Sequence, residues 1–405
     1  MAEVQQTQRE LRLGFVFDHN KCIICNACVD ACNKAYGGNW RVLPVFQFEG
    51  ATTALSISCN HCDNPVCLKA CPANAIKKER NGIVYVNQQE CIGCGYCQWA
   101  CPYEALHFTK DGTMSKCHLC MDRLGKGMPY CVESCPTGAL SFGWLGESDA
   151  QVNYLAPPSI TKPRFKIIPP RDMKIIASPL KEKSESNVKG LIAFTVGSEI
   201  SLGYALFKLP YYPLLSFLLL ASTLLLSVGH AKVSSRSIRV MFNLKTSWLS
   251  REVLFGGLAS LLFLLEEFFY VLYYPALIFL GLSVISSFMV YMLKSRPSWY
   301  SPDTPISFLG TAFTTISPIA FFLSHQLSLL ALGGAWSLVE IISWYLYKRD
   351  VRIRGVLNLI YLVSLMLPLI TPFTCVVPTT IALLSEIYHR THFFKKVKYY
   401  GVPKY

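Results

Sequence analysis

Sixteen of the seventeen cysteines in this chain fall between Cys22 and Cys135, leaving Cys375 alone. They form four groups: Cys22, Cys25, Cys28 and Cys32; Cys59, Cys62, Cys67 and Cys71; Cys91, Cys94, Cys97 and Cys101; and Cys117, Cys120, Cys131 and Cys135. Gaps are two, two and three residues in the first and third groups, two, four and three in the second, and two, ten and three in the fourth. Pro72, Pro102 and Pro136 follow the last three groups. The run C-x2-C-x2-C-x3-C-P suits a cubane iron–sulfur cluster, because a tight loop turns three thiolates onto one cluster and aims backbone N–H groups at the sulfides. The fourth cysteine faces the neighbouring cluster and is expected to start a helix whose first turn accepts the proline without losing a hydrogen bond. Zinc is the metal alternative, but structural zinc sites pair two separated C-x2-C knuckles. Disulfides are the remaining alternative. Closely spaced thiolates repeated over four groups fit iron–sulfur far better than either.

The polypeptide that must position these thiols has 405 residues, 52% hydrophobic and only 16% charged, against globular norms of about 45–50% and about 25%. One half is dense in cysteine and the other in Leu, Phe, Ile and Tyr. This excludes a disordered chain, a single soluble domain and a small secreted disulfide scaffold. The formal charge of +13 suggests nucleic acid or an anionic membrane surface. Four cubanes with their thiolates, at roughly −2 each, lower it to about +5. A nucleic-acid partner is therefore not expected.

Three regions follow: a cysteine domain over 1–150, a Pro-rich linker over 151–187 and an apolar region over 188–405. Residues 1–20 have no apolar h-region, and Arg9 and Arg12 are not adjacent, so neither a secretory nor a twin-arginine signal is expected. In the linker, Pro157, Pro158, Pro163, Pro169, Pro170 and Pro179 favour an extended strap over a helix. Eight apolar segments follow at roughly 189–208, 212–230, 252–268, 274–293, 305–324, 328–347, 355–371 and 374–393. A membrane crossing needs about 20 mostly apolar residues. The last two segments are marginal, being interrupted by Pro368, Pro372 and Pro378. Nineteen Lys and Arg residues lie in the loops of one face and only Lys208 in the alternate loops. The positive-inside rule then puts the basic face, and with it the cysteine domain, in the cytoplasm.

The stretches "FDHNKCIICNACVDAC", "CNHCDNPVCLKACPANAI", "CIGCGYCQWACPYEA" and "KCHLCMDRLGKGMPYCVESCPTGAL" resemble the four-cluster electron-transfer subunit of the dimethyl sulfoxide reductase family of molybdenum oxidoreductases. In the apolar half, "VGHAKVSSRSIRVMFNLKTSWLSREVLF", "YMLKSRPSWYSPDTP" and "SEIYHRTHFF" are similar to that family's eight-helix anchor subunit. The two subunits would here be fused. The implied fold is an α+β tandem ferredoxin-like domain with four iron–sulfur clusters, followed by an all-α polytopic membrane bundle of eight transmembrane helices. The resemblance also implies which groups pair. Cys22, Cys25, Cys28 and Cys135 would hold one [4Fe–4S] cluster, and Cys117, Cys120, Cys131 and Cys32 its partner. Cys59, Cys62, Cys67 and Cys101 would hold a third, and Cys91, Cys94, Cys97 and Cys71 a fourth. Several members of that family place this subunit on the outer face, against the loop charges here.

Ionisable residues within spans call for a functional explanation. Glu199, Glu340, Glu386 and Arg390 lie inside apolar segments, and Glu386 and Arg390, four apart on one helical face, are placed to pair with each other. Glu266 and Glu267 read as solvated at a helix end. His230, Arg236, Arg239, Trp248, Arg251 and Glu252 surround the loop after the second segment. They form the candidate quinone site, with His230 suited to hydrogen-bond a quinone oxygen and Glu199 and Glu386 as further candidates. The alternative is a histidine among lipid headgroups. No haem is expected, since His325, His389 and His392 lie near segment ends. Two functions remain. One is an electron-transfer and anchor subunit relaying electrons between quinone and a separate molybdopterin catalytic subunit. The other is a stand-alone membrane redox protein linking soluble ferredoxin to quinone.

Overall fold

The computed structural model describes residues 12–48, 51–146, 150–171, 174–175, 177–185, 188–229, 231–347 and 352–402. The protein divides into two compact units: Met1–Lys181 with Lys294–Arg296 and Lys398–Tyr405, and Glu182–Leu293 with Pro297–Val397.

The N-terminal unit is built on a small sheet. In β1 (Arg12–Asp18) the alternate residues Leu13, Phe15 and Phe17 are buried, the period-two pattern of a half-buried strand. β2 (Val45–Phe48) and β3 (Ala51–Ala54), β4 (Ile76–Lys78) and β5 (Val84–Val86), and β6 (His107–Phe108) and β7 (Met114–Ser115) form three antiparallel pairs. β8 (Leu140–Leu145) runs antiparallel to β1, and β9 (Phe165–Ile168), from the Pro-rich stretch, runs parallel to it. A side chain at Gly14 would overlap the Arg164 carbonyl, so glycine allows β1 and the segment entering β9 to meet backbone to backbone. Phe46, Leu55, Ile57, Tyr154, Leu155 and Ile167 complete the core.

Four short helices carry cysteines: α1 (Ala27–Tyr36), α2 (Val66–Ala70), α3 (Tyr96–Ala100) and α4 (Tyr130–Glu133). The third cysteine of each group, namely Cys28, Cys67, Cys97 and Cys131, sits inside them. The expectation that the fourth cysteine starts a helix is overturned. Cys71 and Cys101 end α2 and α3 in extended conformation, with ψ of 113° and 120°. Pro72 and Pro102 are therefore terminators, because proline disfavours a helical residue before it. Cys32 lies within α1.

The C-terminal unit is helical. Its elements are α5 (Lys189–Leu206), α6 (Tyr212–Val228), α7 (Trp248–Glu266), α8 (Tyr273–Tyr291), α9 (Asp303–Ser324), α10 (Leu327–Leu346), α11 (Arg352–Ser364), α12 (Leu367–Ile370) and α13 (Val376–Lys395). Among the described residues, five stretches are long and apolar enough to cross a membrane: Trp248–Glu266, Tyr270–Tyr291, Asp303–Ser324, Leu327–Leu346 and Ile353–Ile370. Tyr212–Ser227 is apolar but shorter. Leu225, Ile278, Tyr345 and Val363 point outward and are exposed, as side chains solvated by hydrocarbon would be. α9 lies at the centre, with 67% of its apolar stretch buried against 28–39% in the other four. Gly203 of α5 lies against the Ala312 carbonyl of α9, where a Cβ would overlap it, the close backbone approach that small residues give membrane helices.

Candidate metal centres

The same backbone device recurs in all four cysteine loops. The second residue after the first cysteine adopts positive φ: Ile24 at 58°, His61 at 41°, Gly93 at 67° and Leu119 at 59°. That left-handed turn folds the backbone over the thiol. Gly93 and Leu119 donate their N–H groups to Cys91 and Cys117 Sγ at 3.4 Å. Further amides approach from beyond the fourth cysteines, Ala75 N–H to Cys71 Sγ at 3.2 Å and Leu140 N–H to Cys135 Sγ at 3.5 Å. These thiols thus sit among donors that favour negative charge.

The strands then bring cysteines from distant groups together. β1 pairs with β8 so that Phe17 faces Leu140. Cys22 follows Phe17 by five residues and Cys135 precedes Leu140 by five, so both leave the same end of the sheet. The β4–β5 pair, with Ile76 opposite Val86, does the same for Cys71 and Cys91. Cys59, Cys62, Cys67 and Cys101 line one cavity, with Tyr103, Lys116 and Thr161 on its wall. Cys71, Cys91, Cys94 and Cys97 line another. Cys22 has Cys28, Cys135 and Cys25 as electrostatic neighbours, and Cys32 has Cys131 and Cys120. Cys28 and Cys32, Cys117 and Cys59, and Cys67 and Cys97 are likewise electrostatic neighbours.

Burial pushes these thiols up, Cys32 and Cys101 to about 11 and Cys94 and Cys117 to about 12. Thiols raised this far ionise only against added positive charge, which the irons of a cubane would supply. Among the described residues no three His, Cys, Asp or Glu side chains converge on a single metal ion. A cubane, by contrast, binds each thiolate to a different iron and spreads the sulfurs apart. The donor sets fit a polynuclear cluster.

Two buried cations escaped the sequence reading. Lys116 donates to Cys59 Sγ at 3.1 Å, to the Cys117 carbonyl at 2.9 Å and to the Val84 carbonyl. Burial alone would lower its pKa, but Cys59, Cys67 and Cys117 outweigh that and hold it above the ordinary lysine value. Arg41 donates to Ser56 and Ser58 Oγ, both at 3.0 Å, and Ser56 Oγ lies 3.2 Å from Cys28 Sγ. Its pKa too is raised in spite of burial, by Cys131, Cys117, Cys28 and Cys32. Lys116 could have been suspected from its place directly before a C-x2-C run. Nothing local marks Arg41.

The quinone candidates are only partly gathered. His230 lies outside the described residues. Arg251 stacks on Trp248 at 4.3 Å and donates to the Leu244 and Lys245 carbonyls at 2.9 and 2.7 Å, which clamps the loop before α7. Arg239 lies over Phe242 at 5.4 Å. Glu252 is buried within the first turns of α7. The expected Glu386–Arg390 pair gives way to two longer-range ones: Arg390 holds Glu199 at 2.8 Å, and Glu386 meets Arg354 at 3.4 Å. Residues four apart share a helix face, yet here each finds its partner on another helix. Glu266 is likewise buried, accepting from the Tyr212 hydroxyl, while Glu267 is exposed as expected.

A family description for 4Fe–4S dicluster domains matches residues 51–145. The sequence is 39% identical over 180 residues to an anaerobic dimethyl sulfoxide reductase chain of Escherichia coli, covering 38% of this protein and 88% of that one. It is 42% identical over 147 residues to the thiosulfate reductase electron transfer subunit of Salmonella typhi, covering 33% and 77%. With a sulfite dehydrogenase subunit of Allochromatium vinosum it shares 32% over 209 residues, covering 42% and 87%.

Proposed function

We propose a function for a chain that belongs, through its N-terminal unit, to the family of reductase electron-transfer subunits that includes these Escherichia coli and Salmonella typhi proteins. It serves as the electron-transfer and membrane-anchor subunit of a quinone-linked molybdenum oxidoreductase, both parts joined in one polypeptide. The cysteine domain holds four [4Fe–4S] clusters and delivers to, or receives from, a separate molybdopterin catalytic subunit. Such clusters are one-electron carriers whose potentials follow net charge, hydrogen bonds to sulfur and exposure. The protein's part is to space them: two separate cavities, each lined by four thiols, are the observation that carries this reading.

The C-terminal unit supplies the anchor, with its apolar segments forming eight spans. The quinone site lies around His230 and the loop from Arg236 to Glu252, where basic and aromatic groups cluster. Anaerobic iron and acid-labile sulfide analysis tests the cluster count, with about sixteen of each expected per polypeptide. A value near eight in fully loaded protein would refute it. Reduction of the clusters by a quinol, followed spectroscopically, tests the membrane link. It should be slowed in His230→Ala while reduction by dithionite stays normal, and quinol kinetics identical to wild type would move the site elsewhere.

A further inference from the structure

One buried guanidinium reaches toward cysteines of two different groups. Arg41 is 1% exposed and lies where the chain pairs back on itself, Val42 and Ile57 exchanging backbone hydrogen bonds at 2.9 and 3.0 Å. That antiparallel register sets Arg41 beside Ser58, and Ser56, two residues earlier, projects to the same face. Arg41 Nη1 donates to Ser56 Oγ and Nη2 to Ser58 Oγ, both at 3.0 Å. The guanidinium carbon stands 4.5 Å from the centre of the Phe15 ring. Two hydroxyls and an aromatic face thus fix the charge in one position.

From there it acts in two directions. Ser56 Oγ, which accepts from Arg41, lies 3.2 Å from Cys28 Sγ. Against a cluster-bound thiolate, which has no hydrogen, that hydroxyl must be the donor. On the other side the thiol of Cys131 accepts from the guanidinium directly. Cys32 and Cys117 are further electrostatic neighbours of the same charge. Cys28 sits in α1 and Cys131 in α4, and Ser134, at the end of α4, donates to the Ala27 carbonyl of α1 at 3.1 Å. Each of the two is the third cysteine of its group. It is the fourth cysteine that crosses to a neighbouring cluster in such runs. Cys28 and Cys131 therefore serve different clusters, whichever groups exchange their fourth ligands.

The charge on Arg41 is permanent, since an arginine does not give up its proton in a protein. One electron added to a cubane takes core and thiolates together from roughly −2 to roughly −3. A fixed positive charge hydrogen-bonded toward a ligand sulfur stabilises that reduced state. One charge that reaches two clusters does so for both.

We propose that Arg41 is a positioning residue shared by the two clusters that take Cys28 and Cys131, setting both midpoint potentials together and acting on the first through Ser56. This rests on the four-cluster reading of the cysteine domain. Because the same charge serves both sites, it lifts the pair as a unit without opposing electron transfer inside the pair.

Redox titration of the full-length protein in detergent, followed by electron paramagnetic resonance, tests it, with iron measured on every sample. Cys28→Ser and Cys131→Ser identify the two signals, each perturbing a different one. In Arg41→Met both should titrate at lower potential, by about tenfold in the reduction equilibrium, or roughly 59 mV for a one-electron couple. Arg41→Lys keeps the charge and should shift both by less. Ser56→Ala should lower the Cys28 signal alone. At wild-type iron content, a shift of one signal or neither in Arg41→Met, or an equal shift in Arg41→Lys, overturns the proposal and leaves Arg41 a structural clamp. Should Arg41→Met fail to take up iron, Ser56→Ala decides, an unmoved Cys28 signal overturning the sharing. Were Cys28→Ser and Cys131→Ser to perturb one and the same signal, the cluster reading itself would fall, and the proposal with it.

Discussion

Lys116 and Arg41 show how single side chains set the properties of a crowded thiol site. Lys116 is enclosed among Cys59, Cys67 and Cys117 and donates directly to Cys59 Sγ. A positive charge there favours the electron-rich state of whatever those thiolates hold. Lys116→Met keeps the shape and removes the charge, so the midpoint potential of the cluster proposed for Cys59, Cys62, Cys67 and Cys101 should fall. A charged hydrogen bond of about 1.4 kcal/mol corresponds to roughly 60 mV for a one-electron couple. A redox titration followed by electron paramagnetic resonance reads this directly. His19 shows the opposite logic. Its ring lies 3.0 Å from Thr53 Oγ1 and 2.8 Å from the Tyr154 hydroxyl, and burial lowers its pKa to about 4 from 6.5. The unfolded state then binds the extra proton first, so this contribution is full above pH 6.5 and is lost as pH falls toward 4. Between pH 7 and pH 5 the wild type should lose about 2 kcal/mol relative to His19→Gln. Denaturant unfolding of both proteins at the two pH values measures the difference.

Among elements, the decisive contacts are those where helix axes come close and where the polar faces of helices turn inward. Gly203 lets α5 lie against the α9 backbone at Ala312. Neither carbonyl nor helix can move aside cheaply, so Gly203→Ala should destabilise the C-terminal unit by about 1–3 kcal/mol. Thermal unfolding in detergent should show this, and Gly281→Ala, where a Cβ meets nothing within 4 Å, is the matched control. The cysteine loops obey a local rule instead. Positive φ recurs at Ile24, His61, Gly93 and Leu119 whatever the side chain, because the loop must turn back over its first thiol.

For the whole molecule, the structure changes the weight of the loop charges. Arg354 and Arg390, counted among the nineteen basic residues of one face, are buried in ion pairs inside the bundle. Lys208, the lone basic residue of the alternate loops, donates to the Tyr270 hydroxyl at 2.8 Å and lies 4.2 Å from the Tyr273 ring. Leaving out Arg354 and Arg390, and Arg296, which is buried too, still leaves sixteen against one. Short loops with that imbalance favour the cytoplasm. A fluorescent reporter that folds only in the cytoplasm, fused after Tyr405, should therefore be bright. Activity of an export-dependent phosphatase at the same position would reverse the orientation.

Features that depend on near neighbours could be read along the polypeptide before any fold was known. Spacings of two, three and four residues marked which cysteines share a loop, and hydropathy runs located the helices of the C-terminal unit to within a few residues. Helix and loop geometry act over those same distances, so a linear pattern suffices. Spacing suggested an exchange of fourth cysteines, with the choice of groups resting on resemblance, and Cys101 lines one cavity with Cys59, Cys62 and Cys67, as Cys71 does another with Cys91, Cys94 and Cys97. The ion pairs and the buried cations, by contrast, emerged only from packing in three dimensions. Glu386 and Arg390 share a helical face, but what each touches depends on the rotation of α5, α9, α10 and α11 around α13. Hydrophobic helices this uniform carry no strong preference for one inward face, so the phase is set by packing. Arg41 reaches its thiolates only because strand pairing folds residues far apart in sequence onto one another. Charge pairing in a low-dielectric interior is a property of distance in space, and no local spacing encodes it.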